Sequence, residues 1–335
     1  MKMKFFIPLI FILMSVGTSI QGYAQAMTVI RDVLRPVENL MIDDGYFLSV
    51  YDHHIAPNKM PNELLGLKNN PKSMEQKLVV KRDWGSISAG TFVHQVTFTP
   101  NGSISTITVP AQMVNGMQND EEKVEIEYFQ DGKFATLLKF SKVSTINGVE
   151  NRADQTQYGY NRAGLLVKEV YNMYTPGPDN KWHKEPSFAD KEDYVYTYDA
   201  EGRLLTAKVD ALNGMTYYNE RGLLSKIKKD GYIAYEFEYD AADGLTYALS
   251  KTHDEGPDDD EPIAIETTFT RNAQGDAVKV AKARHICNSR WLPIRKGTPK
   301  TYTIAYTYDA QGNWTKATIS QAKSIIATIT RTFTY

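Results

Sequence analysis

Cysteine is almost absent from this sequence, which contains one such residue, Cys287, in a chain of 335. A single cysteine cannot form an internal disulfide, so side-chain packing and backbone hydrogen bonds must stabilise the fold. A catalytic role for Cys287 would need a nearby base. His285 is the candidate base, because residues two apart share one face of a strand. A buried or incidental thiol is the preferred interpretation.

Long apolar runs are missing everywhere except at the N-terminus. Residues 1–26 combine a basic start at Lys2 and Lys4, an apolar run over residues 5–14 and a small-residue exit over residues 24–26. This pattern is typical of a secretory signal peptide, and the run is about half of the roughly 20 residues that a spanning helix needs. We predict an exported protein, periplasmic, at the cell surface or secreted, without a membrane span after cleavage.

A strong charge of either sign is also lacking. The formal net charge is −2, and removal of Lys2 and Lys4 with the signal peptide makes it −4. A nucleic-acid-binding protein is expected to present a strongly basic face, so nucleic acid is disfavoured as a partner. The sequence has no nucleophile elbow, phosphate loop or zinc-ligand spacing. We therefore predict no catalytic residues, no enzyme activity and no cofactor.

What the sequence does contain is a short phrase that recurs along the chain. YTYDAEGRLLTAKVD begins at Tyr196, and YTYDAQGNWTKATI begins at Tyr306. Six strict copies place an aromatic residue four positions before a glycine: Phe98 and Gly102, Tyr128 and Gly132, Tyr160 and Gly164, Tyr198 and Gly202, Tyr218 and Gly222, Tyr308 and Gly312. Two looser copies are Tyr239 with Gly244 and Arg271 with Gly275. Internal repetition therefore organises most of the chain.

Each copy of the phrase predicts a β-hairpin. Tyr196 and Tyr198 alternate with Thr197, as on the two faces of a strand. Asp199 suits the first position of a type I turn, and Gly202 permits a left-handed conformation followed by a bulge. The position two residues after the glycine is apolar in every strict copy, as a half-buried return strand requires. We predict an all-β fold, an antiparallel meander of repeated hairpins that forms one long, twisted or curled sheet.

The segment from Tyr196 to Leu204 resembles the YD repeat of bacterial RHS proteins. The resemblance covers roughly residues 96–335 and is most specific around Tyr198 and Tyr308. It implies hairpins that join edge to edge into a long coiled sheet. Glycines in the eight copies are 20 to 38 residues apart, whereas YD repeats recur at about 20 residues. A smaller curled sheet is therefore expected in place of an RHS shell.

Three regions are predicted along the chain. Residues 1–26 form the signal peptide, residues 27–95 form an N-terminal capping region, and residues 96–335 form the YD-like repeat domain. Apolar residues between Val29 and Met41 have helical spacing within the capping region. This region is predicted to cover the first edge of the sheet, because an open edge invites aggregation.

The connections opposite the glycine turns are predicted to form the variable end of the sheet. Two-residue turns are expected at Asn213-Gly214 and Asp230-Gly231. Longer connections are expected at residues 173–193, 251–263 and 287–300. Binding residues concentrate on loops held by a rigid scaffold, so this end is the predicted location of a binding site.

The long connections contain four candidate ligand-binding residues: Trp182, Trp291, Arg290 and Arg295. The tryptophans could stack on a sugar ring and the arginines could bind an anion, although tryptophans that pin their own loops are the favoured interpretation. Asp258 and Asp260 are the candidate ligands for a metal such as Ca²⁺. The spacing of a calcium loop is absent, so a solvated acidic loop is favoured and no metal is expected.

These features predict an exported structural or binding module of the bacterial envelope, with a glycan or another envelope protein as partner. The alternative hypothesis is an outer-membrane β-barrel, because Phe333 and Tyr335 alternate at the end of the chain. Arg331 shares their face, and a lipid-facing side must be continuously apolar. A cryptic envelope hydrolase is a third hypothesis.

Overall fold

A computed structural model of the chain describes most residues from 67 onward. The described residues are 37, 41, 67–82, 89–100, 104–110, 113–114, 117–118, 121–131, 134–146, 149–160, 166–179, 181–184, 191–200, 204–209, 214–221, 223–229, 231–242, 244–253 and 261–335. The predicted signal peptide, residues 1–26, lies outside them.

Twenty-two strands make up this part of the chain. They are β1 (Ser73–Val80), β2 (Gly90–Phe98), β3 (Ile104–Val109), β4 (Met113–Val114), β5 (Met117–Gln118), β6 (Glu121–Asp131), β7 (Phe134–Ile146), β8 (Val149–Tyr160), β9 (Leu166–Pro176), β10 (Trp182–Lys184), β11 (Lys191–Tyr198), β12 (Leu204–Val209), β13 (Gly214–Tyr218), β14 (Leu224–Lys229), β15 (Tyr232–Tyr239), β16 (Leu245–His253), β17 (Pro262–Arg271), β18 (Ala277–Cys287), β19 (Pro293–Arg295), β20 (Lys300–Tyr308), β21 (Trp314–Gln321) and β22 (Ser324–Thr334).

The strands pair in chain order as an antiparallel meander. In the described part of the chain, twenty strands belong to one sheet, and β4 and β5 form a separate two-stranded ladder. The short strands β10 and β19 add to β9 and β18 at the side. The prediction of an all-β meander of repeated hairpins in one long, curled sheet is confirmed.

The two ends of this sheet are hydrogen bonded to each other. Strand β1 pairs with β2 on one side and with β22 on the other, and Lys77 lies opposite both Val93 and Thr330. Without β10 and β19, the remaining eighteen described strands of the sheet pair in an unbroken cycle. The curl of the sheet therefore continues until its last strand meets its first.

All eight predicted hairpins are present, and each carries the predicted bulge. The ladder loses its one-to-one register beside the repeated aromatic position, between Thr97 and Phe98, Glu127 and Tyr128, Gly159 and Tyr160, Thr197 and Tyr198, Tyr217 and Tyr218, Glu238 and Tyr239, Thr270 and Arg271, and Thr307 and Tyr308. A bulge adds local twist, so eight of them promote the curl of the sheet. We call the end of the sheet that bears these turns the glycine rim and the opposite end the loop rim.

The glycine-rim turns have the predicted geometry where they are described. Asn272 Oδ1 accepts hydrogen bonds from the N–H groups of Gln274 and Asp276, at 3.0 and 2.9 Å. The N–H of Gly275 donates to the Asn272 carbonyl at 3.0 Å, and Gly275 has a φ of 87°. This is a type I turn followed by a left-handed residue, which glycine adopts without steric cost.

One apolar cluster lies on the inner face of part of the closed sheet. It combines buried side chains from β1, β2, β13–β18 and β20–β22, among them Leu78, Phe92, Ile227, Tyr235, Val280, Ile304, Ala317 and Ile329. Val37 and Met41 belong to the same cluster, and both are in helical conformation. These two residues from the N-terminal part of the chain therefore contribute to the interior.

The outer face of β20 and β22 is polar. The residues of β20 and β22 that alternate with the buried ones include Thr301, Thr303, Thr330 and Thr332, and all four are exposed. Alternation of this kind is expected when one face of a strand is packed and the other meets water. No helix long and apolar enough to span a bilayer occurs in the described residues.

Residues 73–80 and 90–98 are integral to the sheet. The predicted boundary between residues 95 and 96 falls within β2, whose pairing with β1 joins the first hairpin to β22. The two-residue turn at Asp230-Gly231 is confirmed, because Lys229 pairs with Tyr232. The turn predicted at Asn213-Gly214 is wrong: Gly214 pairs with Val209, so four residues connect the two strands.

Candidate functional site

Two short hairpins on the loop rim extend beyond the strand that follows each of them. Trp182 in β10 pairs with Pro176, whereas β11 reaches no higher on β9 than Val170. The six residue steps from Val170 to Pro176 correspond to about 20 Å of strand. Similarly, Arg295 in β19 pairs with Ile286 of β18, whereas β20 pairs with β18 only as far as Lys282, four residues earlier. We call residues 174–184 the Trp182 hairpin and residues 286–296 the Trp291 hairpin.

The Trp182 hairpin presents an exposed aromatic face. Trp182 lies opposite Pro176, and Lys184 lies opposite Tyr174, so these four side chains share one face of the two strands. The indole of Trp182 is 39% exposed. An exposed indole offers an apolar surface together with one N–H donor, which suits an amphipathic ligand.

A polar network fixes the turn of this hairpin. His183 Nε2 lies 2.8 Å from Asp179 Oδ1, which also accepts the N–H of Lys181 at 3.1 Å. These hydrogen bonds, that of His183 first, hold the pKa of Asp179 below its usual value. A Cβ at Gly177 would overlap the imidazole of His183, so glycine is required for this packing. Trp182 is therefore displayed on an ordered support.

The Trp291 hairpin contains a ninth copy of the glycine-rim turn. Asn288 Oδ1 accepts the N–H groups of Arg290 and Leu292, at 2.9 and 3.0 Å. The N–H of Trp291 donates to the Asn288 carbonyl at 2.8 Å, the bond that Gly275 makes to Asn272. Trp291 has a φ of 60° and thus occupies the left-handed position that glycine holds in the repeats.

Trp291 is held in this conformation by packing against the sheet. A bulky residue at positive φ is an outlier that costs roughly 1–2 kcal/mol. The indole stacks on Tyr232, with ring centroids 4.9 Å apart and planes inclined by 20°. It also packs against a small cluster of Leu249, Ala264 and Cys287. Trp291 therefore anchors its own hairpin.

The structure separates the four predicted ligand-binding residues into two groups. Arg290, Trp291 and Arg295 lie in one hairpin, and the side chains of both arginines are exposed. Trp182 lies in the other hairpin, eight ladder steps away, which is on the order of 40 Å along the sheet. The role of all four in ligand binding stays a prediction.

The small cluster under the Trp291 hairpin lies on the outer face of the sheet. Ala248, the neighbour of Leu249 in β16, belongs to the interior cluster, so Leu249 points outward. Cys287 in this cluster is 2% exposed, and burial raises the pKa of its thiol. A thiol of raised pKa stays protonated near neutrality and is a poor nucleophile.

His285 is engaged in fixing the same loop. Its Nδ1 accepts the N–H of Gly297 at 3.2 Å, which assigns the ring hydrogen of a neutral imidazole to Nε2. Nε2 lies 3.2 Å from Glu266 Oε2, at an angle outside hydrogen-bond geometry. A Cβ at Gly297 would overlap the Arg284 carbonyl, so the loop can approach β18 here only with glycine. His285 therefore has a sufficient structural role.

Some features were missed at the level of sequence. The segment Asn288-Ser-Arg-Trp-Leu aligns with Asn272-Ala-Gln-Gly-Asp. The repeat pattern was defined by its glycine, and this ninth turn has Trp291 at that position, so the pattern did not include it. Leu292 and Ile294 are also much more exposed than apolar side chains usually are, at 59% and 68%.

The candidate metal ligands Asp258 and Asp260 lie outside the described residues. Among the residues that are described, no group of three or more His, Cys, Asp or Glu side chains could hold a metal ion.

No protein-family model and no curated protein matches this chain. Among solved structures, a porin-like protein from Bacteroides uniformis matches with a TM-score of 0.29 and 11% identity, over 80% of this chain and 99% of that one. A porin-like protein from Bacteroides vulgatus matches with a TM-score of 0.25 and 9% identity, over 78% and 98%.

A structure of TcdB2-TccC3-TEV matches with a TM-score of 0.27 and 17% identity, over 76% of this chain and 14% of that one. This chain therefore spans a small part of that protein. All three TM-scores lie below 0.5, so these similarities carry no argument about function.

Proposed function

We propose that this chain is an exported, non-catalytic binding module of the bacterial cell envelope that binds a glycan at the Trp182 hairpin. The observation that carries the proposal is the exposed indole of Trp182 on a hairpin ordered by Asp179 and His183. A sugar ring combines an apolar C–H face with hydroxyl groups. An indole beside hydrogen-bonding side chains complements both.

The order of the hairpin supports binding by this surface. The indole stands beside Pro176, whose ring has no N–H and little freedom, and Lys184 adds a donor on the same face. A ligand that binds a preorganised surface loses less free energy in ordering the protein. The Trp182 hairpin therefore suits a shallow, amphipathic ligand better than a flexible loop would.

The chemistry of the described residues favours binding over catalysis. The one cysteine is buried with a raised pKa, and the nearby imidazole is bonded to a backbone N–H. The aspartates and asparagines of the turns accept backbone hydrogen bonds. These groups have structural roles that account for their presence without a substrate.

The polar outer face of β20 and β22 supports a protein that meets water on that side of these strands. Exposed threonines on β20 and β22 stand where the alternative, a membrane-inserted protein, would need apolar side chains against lipid. The apolar residues of these strands belong to the cluster on the inner face. This arrangement favours the hypothesis of a binding module over that of a membrane-inserted protein whose outer face contacts lipid.

A glycan array of bacterial envelope polysaccharides tests the proposal, with the protein purified after export. We expect a bound glycan whose affinity falls at least ten-fold in Trp182→Ala, which is about 1.4 kcal/mol. Trp182→Phe keeps an aromatic face and should retain most of the affinity. Trp291→Ala serves as the matched control, because Trp291 anchors a different hairpin.

Two results would contradict the proposal. One is a wild-type protein that binds no glycan on the array. The other is a glycan whose affinity is unchanged in Trp182→Ala while circular dichroism shows the variant folded.

A further inference from the structure

A continuous face of three strands leads away from the indole of Trp182. Tyr174 in β9 pairs with Lys184 of β10 on one side and with Ala153 of β8 on the other. The register stays one-to-one through these residues, so side chains on the three strands alternate together and residues two apart share a face. We call this face the Trp182 strip; its members are Trp182, Pro176, Lys184, Tyr174, Gln155 and Gln157.

The Trp182 strip is open to solvent and longer than one sugar ring. Trp182 and Gln157 at its two ends are both exposed. Trp182 lies opposite Pro176 and Gln157 lies opposite Val170, and these two partners are six residue steps apart on β9. Six steps correspond to about 20 Å of strand. The strip therefore has room for a chain of sugars.

One end of the strip combines an aromatic ring with a positive charge. Trp182 and Lys184 are two residues apart on the same face, which places them about 7 Å from each other. The side chain of Lys184 is exposed, and its flexible stem lets the ammonium group reach a substituent of a sugar ring stacked on the indole. A carboxylate substituent would accept a charge-assisted hydrogen bond there. The carboxylate of Asp179 in the same hairpin is already bonded to His183.

The other end of the strip consists of side-chain amides. Gln157 Nε2 donates a hydrogen bond to Gln155 Oε1 at 3.4 Å, so the two amides are aligned along β8. Each amide has donor and acceptor groups, which complement the hydroxyl groups of a sugar. Tyr174 and Gln155 between the two ends are half-buried. The polarity of the strip thus changes from cationic beside Trp182 to neutral beside Gln157.

We propose that the ligand of the Trp182 hairpin is an acidic polysaccharide whose chain lies along the Trp182 strip. A uronic acid ring stacks on Trp182, its carboxylate binds Lys184, and hydroxyl groups of the sugars farther along the chain bind Gln155 and Gln157. This inference rests on the proposed function, and it adds the class of glycan and the placement of the chain.

Removal of the ligand's charge tests the role of Lys184. The probes are polygalacturonate, alginate and hyaluronan, each in its native form and with the carboxyl groups reduced to alcohols. We expect the wild type to bind at least one native polymer about three- to five-fold more tightly than its reduced form, which is the range for an exposed ion pair. Lys184→Gln should abolish this preference. Lys181→Gln is the matched control, because Lys181 is exposed in the turn of the same hairpin and should keep the preference.

The length of the ligand tests the role of the amides. Gln157→Ala should weaken binding of the preferred polymer about three-fold, as expected for the loss of one hydrogen bond. It should leave the affinity for a disaccharide of the same polymer unchanged, because a disaccharide on Trp182 does not extend about 20 Å along the strand. Gln274→Ala on the glycine rim is the control and should alter neither affinity. Titration calorimetry measures these constants, and circular dichroism verifies that each variant is folded.

The outcomes separate this inference from the proposed function. A glycan that binds through Trp182 equally well in its native and carboxyl-reduced forms, or a neutral glycan as the one ligand found, would overturn the acidic ligand alone. Equal loss of polymer and disaccharide affinity in Gln157→Ala, or no loss of either, would overturn the placement of the chain. A protein that binds no glycan would overturn the proposed function, and this inference with it.

Discussion

At the residue scale, one acceptor side chain organises each described turn of the repeat. Asn272 and Asp309 each accept two backbone N–H groups, and the corresponding distances agree within 0.1 Å. An amide and a carboxylate serve equally, so the turn requires a hydrogen-bond acceptor and no charge. The aspartate of the repeated phrase is thereby explained by backbone geometry.

The left-handed position of the turn gives a residue-scale prediction. Gly275 has a φ of 87° and no heavy atom within 4 Å of an added Cβ, so backbone conformation alone determines the cost of substitution. We expect Gly275→Ala to lower the free energy of unfolding by about 1–2 kcal/mol. Gly275→Asn should cost less, because asparagine tolerates this conformation.

Urea denaturation of the three proteins measures this difference. Equal stability of the alanine and asparagine variants would contradict the explanation, because their side chains meet the same open space and differ in tolerance of positive φ. An alanine variant as stable as the wild type would contradict it as well.

At the element scale, two tyrosines connect a strand to the glycine-rim turn before it. Tyr308 OH donates to Asp276 Oδ2 at 2.7 Å and accepts from Asn272 Nδ2 at 2.8 Å. Tyr335 OH repeats the arrangement on the next turn, donating to Asp309 Oδ2 at 2.6 Å. These bonds link neighbouring turns on the glycine rim, where the backbone ladder has ended.

This link predicts a pH dependence of stability. Burial, and then the hydrogen bond to Asp276, raise the pKa of Tyr308 to about 12. The neutral phenol is therefore favoured in the folded protein. Its contribution is complete below about pH 10, the pKa of an unfolded tyrosine, and is lost as the pH rises toward 12. We expect Tyr308→Phe to reduce the fall in stability over this range.

Urea midpoints of the wild type and the variant between pH 9 and 12 test the expectation. Part of the fall should remain in Tyr308→Phe, because burial also raises the pKa of Tyr247 to about 12. Tyr198→Phe is a suitable control, since that side chain is exposed. Identical pH profiles for the wild type and Tyr308→Phe would refute the proposed link.

At the scale of the whole molecule, β1 joins the two ends of the meander. Besides its eight register pairs with β22, the segment before it reaches the last glycine-rim turn. Asn313 Oδ1 accepts the N–H of Lys68 at 2.6 Å, and Asn313 Nδ2 donates to the Lys68 carbonyl at 2.8 Å. A closed ladder leaves no long strand edge open to other molecules.

Closure can be tested with an engineered disulfide. Lys77 and Thr330 are opposite each other in β1 and β22, and both are exposed. We expect Lys77→Cys with Thr330→Cys to oxidise to a disulfide that joins positions 253 residues apart. Constraint of so long a segment should raise the free energy of unfolding by up to about 5 kcal/mol.

The matched control is Glu75→Cys with Thr328→Cys, which lie on the same two strands but four residues out of register. This pair should not form a disulfide, and the buried native Cys287 should not compete. Non-reducing electrophoresis distinguishes the products. Absence of the disulfide in the in-register pair, or equal yields in both pairs, would contradict the closed arrangement.

The sequence by itself determined the hairpins. An aromatic residue, an Asp or Asn, and a glycine three positions later specify the incoming strand, the acceptor and the left-handed residue within about ten residues of chain. Every interaction involved is local, as between Asn272 and Asp276 or within the register shift at Tyr308. Strand alternation likewise predicted that Arg331 shares a face with Phe333 and Tyr335, and the structure shows that Arg331 is buried.

Tertiary structure alone decided which ends meet and which side chains stay exposed. Pairing of β1 with β22 depends on the twist and bulges accumulated over the whole meander, which no short window of sequence contains. The same holds for the two tryptophans: Trp291 meets Tyr232 from a distant strand, whereas Trp182 finds no such cover. Local hydrogen bonds and steric limits act within a few residues, but closure and burial depend on where distant strands arrive.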